Sequence, residues 1–217
     1  MTDGLAAVLF DMDGLLVDTE PLWFETEIEV MGRLGAPWTK EDQRHLLGGS
    51  MPNTVRYLLA KATKPAAPAE VEAWMTDGML QRAADGRVEV LPGARELLAA
   101  VAAAGIPYGL VTSSLRPLAE AVLAGAGLIF PVAVTGEDVA VTKPDPAPYL
   151  LAARLLGVDP ARCVALEDSP NGTASATAAG CRVVAVPSFV DIPPAPGRIV
   201  ARSLLDVTVD TLRALAA

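Results

Sequence analysis

The sequence is poor in the residues on which several common kinds of active site depend. It holds a single histidine, His45, so a zinc site built from several histidines is excluded, and a Ser-His-Asp triad would rest on that residue alone. The 2 cysteines, Cys163 and Cys181, both lie in apolar, strand-like runs, which predicts buried, reduced thiols. A disulfide between them is compatible with the sequence, but a core of this size does not need it. We therefore expect carboxylates, a lysine and a metal ion to carry the chemistry.

Positive charge and long apolar runs are also missing. The formal net charge is −9, which argues against nucleic acid or an anionic membrane surface as the main partner. No run of ~18 uninterrupted apolar residues is present, so we predict no membrane-spanning segment. The first residues lack the basic segment of a secretion signal, and together with the reduced cysteines this predicts a cytoplasmic protein.

What is present suits a compact globular protein. A hydrophobic fraction of 52% with 20% charged residues is typical of that class. The 217 residues can form one large domain, or a core domain with a smaller insertion. We expect a monomer or a weak homodimer.

One stretch near the start combines a buried strand with two acidic residues. The apolar run Leu5–Phe10 is followed directly by Asp11, Asp13 and Gly14. In extended chain, residues i and i+2 point to the same side, so the two carboxylates would share one small volume. Like charges in that position repel and resist desolvation. A divalent cation that neutralises them would account for the pattern.

A calcium-binding helix–loop–helix is the alternative reading of the same residues. Its loop needs oxygen ligands at the fifth and twelfth positions, counted from Asp11. Leu15 and Leu22 stand there, and a strand precedes the motif instead of a helix. The calcium loop is therefore excluded.

The rest of the chain divides by its periodicity. From about residue 18 to 86 no convincing strand appears, and helices are predicted around 23–34, 51–59 and 71–79, with a proline- and alanine-rich connection at 62–69. From residue 88 onward strands and helices alternate, which predicts a parallel sheet covered by helices on both faces. The later strands are predicted at 107–112, 132–135, 163–166 and 182–186, followed by a loop at 187–197 and a closing helix at 204–214.

The predicted fold class is therefore α/β. It consists of a doubly wound, Rossmann-like parallel sheet core with an inserted all-helical cap domain, because the first strand precedes the helical segment and the other strands follow it. We assign residues 1–17 and 86–217 to the core domain and residues 18–85 to the cap domain.

Polar residues follow four of the predicted strands, at the edge where doubly wound sheets bind ligands. Each has an ordinary explanation by itself, such as a helix cap or a solvated turn. Together they offer oxygen ligands suited to magnesium, a carboxylate nucleophile, and cationic and hydroxyl groups for an anion. Phosphoryl transfer is the chemistry that uses all of these groups. The residues are Asp11, Asp13, Thr112, Ser113, Ser114, Lys143, Glu167 and Asp168.

These segments resemble the four motifs of the haloacid dehalogenase-like hydrolase superfamily. The likeness is greatest to its β-phosphoglucomutase-like, phosphatase-rich branch, whose members carry a helical cap at the same place in the chain. The resemblance extends over nearly the whole sequence. The four segments are Asp11–Glu20, Val111–Ser114, Lys143–Pro146 and Glu167–Gly172.

The resemblance implies a role for each catalytic residue. Asp11 would be the nucleophile that forms an aspartyl-phosphate, and Asp13 would protonate the leaving oxygen and then activate water. Thr112 and Lys143 would hold the transferring phosphoryl group. Mg²⁺ would be the cofactor. Its ligands would be Asp11, the backbone carbonyl of Asp13, Asp168, and Glu167 directly or through water.

Further residues are expected to contact the substrate, a small phosphorylated metabolite. On the core side they are Ser113, Ser114 and Arg116. On the cap side we expect the loop from His45 to Asn53 to select the leaving group, through Ser50 and Asn53.

Departures from the family pattern bear on the activity. β-Phosphoglucomutases carry an arginine in the cap loop, where this chain has Met51, so hydrolysis of a sugar phosphate is favoured over a mutase reaction. The dehalogenases lack an acid at the position of Asp13, which excludes them. The phosphonate-cleaving relatives need a cap lysine, for which Lys40, Lys61 and Lys64 are the candidates. A phosphomutase and a catalytically silent, phosphate-binding regulatory module remain the alternatives to a phosphatase.

Overall fold

The computed structural model describes residues 4–46, 51–188 and 190–217. Its strands, in chain order, are β1 Ala7–Phe10, β2 Val17–Asp18, β3 Glu89–Val90, β4 Tyr108–Val111, β5 Ala133–Val134, β6 Cys163–Glu167, β7 Arg182–Ala185 and β8 Arg198–Val200. Within the described residues, six of them form a parallel sheet in the order β5-β4-β1-β6-β7-β8, and β2 pairs with β3 in an antiparallel ladder. The predicted parallel sheet is confirmed.

The helices begin and end where the local sequence signals indicate. Proline occupies the first turn of several of them, where a backbone N–H is not needed, and Gly127 and Gly157 end two of them with left-handed φ angles of 61° and 71°. None of the described helices is long and apolar enough to cross a membrane. In chain order they are α1 Glu20–Arg33, α2 Lys40–Arg44, α3 Met51–Lys61, α4 Pro68–Ala84, α5 Ala94–Ala103, α6 Arg116–Ala126, α7 Ala147–Leu156, α8 Pro170–Ala178 and α9 Val209–Ala216.

The sheet is covered on both faces, as a doubly wound core requires. Val8 and Phe10 of β1 point into an apolar cluster formed with α5, α6 and α9. Ala7 and Leu9, one position out of phase, point into a second cluster formed with α7 and α8. The alternation follows the pleat of the strand. All four residues are fully buried, which explains why this strand reads as a continuous apolar run.

Helices α1, α3 and α4 enclose a smaller apolar cluster of their own, which supports the predicted cap. Helix α2 was not predicted, because its five residues are all polar and show no apolar periodicity. It is held by a capping box in which the Thr39 N–H donates to Asp42 Oδ2 at 3.0 Å. The boundaries of the cap at residues 18 and 85 stay a prediction. The cluster contains Val30, Met31, Leu34, Val55, Leu58, Val71 and Met75.

Among the described residues, two of the contacts between the predicted cap and the core lie where the chain passes from one to the other and on α4. The first is the β2/β3 ladder, in which Val17 pairs with Val90. The segment that leads into the cap and the segment that leads out of it therefore lie side by side. The second is the packing of α4 on α6, where a Cβ on Gly125 would lie 2.8 Å from the Ala83 carbonyl oxygen. Met79 and Ala83 of α4 belong to the core's apolar cluster. The last turns of α4 are therefore anchored on the core.

The carboxyl-terminal part differs from the sequence-based expectation at two points. Strand β8 follows the proline-rich segment and was not predicted, because it is short and only partly buried at the edge of the sheet. The closing helix begins at Val209 instead of residue 204. Thr208 caps it by accepting a hydrogen bond from the Thr211 N–H, and Leu204–Asp206 form a separate 3₁₀ turn.

Candidate active site

The sheet topology brings the predicted catalytic residues to one edge. Asp11 directly follows β1, Thr112 directly follows β4, and Glu167 ends β6. Because β1 lies between β4 and β6, the carboxyl ends of the three strands are neighbours. The Asp11 N–H donates to the Leu166 carbonyl at 3.1 Å, which ties the start of the loop to β6.

Lys143 links the carboxylates of this edge. Its Nζ donates to Asp11 Oδ1 at 2.5 Å and to the Val111 carbonyl at 2.7 Å, and lies 2.6 Å from Glu167 Oε1. The Lys143 side chain is 6% exposed. Burial alone would lower the pKa of Lys143, but the charges of Asp11 and Glu167 raise it above its ordinary value. The ammonium therefore stays charged and offsets part of the negative charge.

Asp13 is held by hydroxyl groups instead of a cation. Its Oδ1 accepts from Thr19 Oγ1 at 2.7 Å and its Oδ2 accepts from Ser114 Oγ at 2.9 Å, with Thr112 Oγ1 at 3.4 Å. Burial, followed by the charge of Asp11, raises the pKa of Asp13. A raised pKa favours the protonated form, which suits a group that must donate a proton to a leaving oxygen.

Three buried carboxylates form a cluster that could hold a metal ion. Each of Asp11, Glu167 and Asp168 offers an oxygen, and these atoms lie within 4.8 Å of one another. Burial first, and the neighbouring charge of Asp11, raise the pKa of Glu167 to about 7 and of Asp168 to about 8. Glu167 Oε2 is buried without a hydrogen-bond partner in the described part of the chain. An all-oxygen set with an unsatisfied buried atom fits a hard divalent cation such as Mg²⁺.

Two glycines give the carboxylates their space. A Cβ on Gly172, in the first turn of α8, would collide with the Glu167 carboxylate, and one on Gly14 would collide with Asp168 Oδ2. Gly14 also has a φ of 80°, which favours glycine. Both positions therefore exclude larger residues for reasons that concern the site itself.

Several residues that support the site were not singled out from the sequence. Thr19 holds Asp13, Tyr149 donates from its hydroxyl to Glu167 Oε1, and Ser188 Oγ donates to Asp168 Oδ2 at 2.6 Å. Thr19 stands inside the first motif, so its position carried a signal. Ser188 lies in a proline-rich loop and Tyr149 on an apolar helix, where nothing in the pattern marks a polar role.

The predicted substrate residues lie in different settings. Ser114 contacts Asp13, whereas Ser113 is exposed. Arg116 is paired with Asp138 at 2.6 Å. Asn53 is exposed and accepts from Arg56 at 2.8 Å. Ser50 lies outside the described residues. The roles of all of these in substrate binding stay predictions.

The cap places the Glu20 carboxylate close enough to Asp13 for the two charges to interact. Gln43 Nε2 donates to the Glu20 carbonyl at 3.0 Å and to Glu20 Oε2 at 3.1 Å. Burial, with the charges of Asp13 and Asp18, raises the pKa of Glu20 to about 7.

A second carboxylate lies deeper in the cap. Glu27 is 3% exposed, and its Oε2 accepts from Trp38 Nε1 at 2.9 Å. Burial raises the pKa of Glu27 to about 7, in spite of the bond from Trp38 and with a further contribution from the charge of Glu20. Neither Glu27 nor Glu20 has a lysine or arginine as a hydrogen-bond partner within the described ranges.

Known proteins are similar to this chain in both sequence and fold. A family model described as haloacid dehalogenase-like hydrolase matches residues 8–186. Hexitol phosphatase A of Escherichia coli (strain K12) is 37% identical over 202 residues, which cover 85% of this chain and 84% of that protein.

Two solved structures give the structural comparison. CbbY from Rhodobacter sphaeroides, in complex with phosphate, is 32% identical and has a TM-score of 0.85, covering 96% of this chain and 99% of that chain. The β-phosphoglucomutase from Clostridium difficile, at 20% identity and a TM-score of 0.81, covers 98% of this chain and 97% of that chain. At that identity the second likeness concerns the fold alone.

Proposed function

Because the chain belongs to the haloacid dehalogenase-like hydrolase family, in its β-phosphoglucomutase-like branch, we propose that it is a magnesium-dependent phosphatase for a small phosphorylated metabolite, a sugar phosphate. One arrangement carries the proposal. Lys143 fixes Asp11 at the mouth of β1, while Asp13, two residues on, is held by hydroxyl groups and has a raised pKa. A fixed carboxylate beside a proton donor is what a two-step phosphoryl transfer requires.

In the first step an oxygen of Asp11 attacks phosphorus, and the bond from phosphorus to the leaving oxygen breaks. Asp13 gives its proton to that oxygen as it leaves. In the second step Asp13, now a carboxylate, takes a proton from water, which attacks the aspartyl-phosphate and releases phosphate. Lys143 and Thr112 bind the phosphoryl oxygens throughout. Mg²⁺ bound by Asp11, Glu167, Asp168 and the Asp13 carbonyl would supply neutralising charge for the phosphoryl oxygens.

The cap supports a sugar phosphate as the substrate. Glu20 lies close enough to Asp13 for the two charges to interact, and Glu27 interacts in turn with Glu20. Both are hydrogen-bond acceptors, and their partners are Gln43 and Trp38 instead of cations. Such groups suit the hydroxyls of a neutral leaving group and repel a second phosphate or a carboxylate. The relative that is a hexitol phosphatase agrees with this choice. We include in the proposal a cap at residues 18–85 that covers the site when substrate is bound.

The deciding experiment measures phosphate release from a panel of phosphorylated compounds, with and without Mg²⁺. We expect magnesium-dependent hydrolysis, with kcat/KM highest for monophosphates of sugars or sugar alcohols and lowest for phosphoglycolate and sugar bisphosphates. An isomerised phosphosugar without released phosphate would identify a mutase. Tight binding of a phosphorylated compound with no turnover of any panel member would identify the silent regulatory module.

A further inference from the structure

A buried tyrosine lies behind the proposed metal cluster. Tyr149, on α7, is 0% exposed, and its hydroxyl donates to Glu167 Oε1. A buried tyrosine hydroxyl needs a hydrogen-bond partner, and here that partner is a carboxylate of the site. The Tyr149 hydroxyl is the donor in this hydrogen bond, and the carboxylate oxygen accepts.

The two oxygens of Glu167 have different surroundings. Oε1 accepts from Tyr149 and lies 2.6 Å from Lys143 Nζ, whereas Oε2 is buried and has no partner among the described residues. The carboxylate has no space to move toward α8, because the site of a Cβ on Gly172 already coincides with it. Its orientation is therefore set by the two donors on Oε1.

We propose that Tyr149 is a positioning residue for the metal site: with Lys143 it binds Glu167 Oε1 and thereby keeps Oε2 free to serve as the metal ligand. The inference rests on the proposed function, since it assumes that the cluster of Asp11, Glu167 and Asp168 binds Mg²⁺. Donors that orient a ligating carboxylate commonly change metal affinity by about 10- to 100-fold when removed.

The substitution Tyr149→Phe isolates the hydroxyl. The ring centroid lies 5.3 Å from Lys143 Nζ, and phenylalanine keeps this contact and the packing of the ring. Glu167 Oε1 keeps Lys143 as a donor, so no buried charge is left unpaired. We expect the dissociation constant of Mg²⁺, measured by calorimetry on the full chain without substrate, to rise about tenfold.

The matched control is Tyr108→Phe. Tyr108 is half-buried on β4 and packs its ring against Phe130 at 5.7 Å between centroids. This variant should bind Mg²⁺ as the wild type does. Turnover gives a second readout, because saturating Mg²⁺ should restore kcat of Tyr149→Phe to within about threefold of the wild type while the half-saturating concentration stays raised.

A double-mutant cycle with Glu167→Gln separates positioning from general destabilisation. If Tyr149 acts through Glu167, the second substitution adds no further loss of Mg²⁺ affinity, whereas independent structural effects add. Additive losses, or unchanged Mg²⁺ affinity in Tyr149→Phe beside a wild type that binds, would overturn this inference and leave the proposed function standing. A wild type that binds no Mg²⁺ would instead overturn the metal part of the proposed function, and this inference with it.

Discussion

The core and the cap both bury carboxylates, but they hold them in different ways. In the core, Asp11 and its partner Lys143 are 132 positions apart in the sequence and meet only through the sheet. In the cap, Glu27 and its partner Trp38 are 11 positions apart and meet within one helical unit. The core site therefore forms only when the sheet is assembled, whereas the contact between Glu27 and Trp38 is local to the cap. Substitutions in the core should affect the chemistry of every substrate, and substitutions in the cap should affect the choice among substrates.

The largest effect is expected at the centre of the core site. Asp11→Asn should abolish turnover of every substrate, because a carboxamide is a very poor nucleophile and a weaker metal ligand. Phosphate release over long incubations measures this, with circular dichroism to show that the fold persists. Hydrolysis near the wild-type rate would contradict the covalent mechanism. It would also contradict the expectation that core substitutions affect every substrate, in contrast to cap substitutions.

A smaller loss is expected at the neighbouring acid. Asp13→Asn should lower kcat by roughly 10²- to 10⁴-fold, the usual contribution of general acid–base catalysis. The loss should be greater for a sugar phosphate than for an aryl phosphate, whose leaving oxygen needs less protonation. Equal losses for both would argue that Asp13 acts on the metal site instead of the leaving group.

A pair of glycines compares the two regions directly. Gly172→Ala in the core should lower the free energy of unfolding by about 1–3 kcal/mol and weaken Mg²⁺ binding, because the methyl group meets the fixed Glu167 carboxylate. Gly32→Ala, at an exposed position of α1 with no atom within 4 Å of the new Cβ, should raise stability by about 0.5–1 kcal/mol and leave kcat unchanged. Urea unfolding of both variants in metal-free buffer checks the sign of each change.

Within the cap, Glu27 is expected to affect selectivity alone. Glu27→Gln should change kcat/KM for a sugar phosphate by about tenfold, the scale of one hydrogen bond to a charged group, and for a small aryl phosphate by less than about threefold. Glu29→Gln is the matched control, since Glu29 lies on the exposed side of the same helix and pairs with Arg33. An equal change for all substrates would show that the cap and the core are not separable in this way.

The smallest effect concerns stability against pH. The pKa of Glu27 is raised to about 7, so the folded state binds a proton that the unfolded state releases above its ordinary value of 4.5. Stability should fall as pH rises from that value through about 7 and then level off. Glu27→Gln should flatten this decline only in part, because the pKa values of Glu20 and Glu167 are also raised to about 7 and that of Asp168 to about 8. Unfolding in urea at about pH 5 and about pH 8 compares the slopes of the two proteins.

The sequence supports the prediction of the core site better than that of its surroundings, and the reason is topological. Asp11, Thr112 and Glu167 follow or end apolar strands, and parallel strands bring their carboxyl ends to one edge without further information. Tyr149 reaches the site because of the direction of its side chain, and Ser188 because of the path of its loop. The spacing of apolar residues in the sequence predicts neither. Helix α2 is polar, and strand β8 is short and half-exposed. Neither shows the regular spacing of apolar residues on which the prediction depends.

The two segments that connect the core to the cap, β2 and β3, lie side by side. The cap could therefore be removed without changing the order of the remaining chain, but its removal would cost stability. Because Val17 and Val90 are paired, a short turn could join the two segments, and the remaining chain would keep the order of its sheet unbroken. Removal of the cap would nevertheless take Leu22, Met79 and Ala83 out of the core's apolar cluster and expose an apolar surface beside α6. A cap that is exchanged between relatives therefore has to include the end of α4, because the residues there cover this apolar surface of the core.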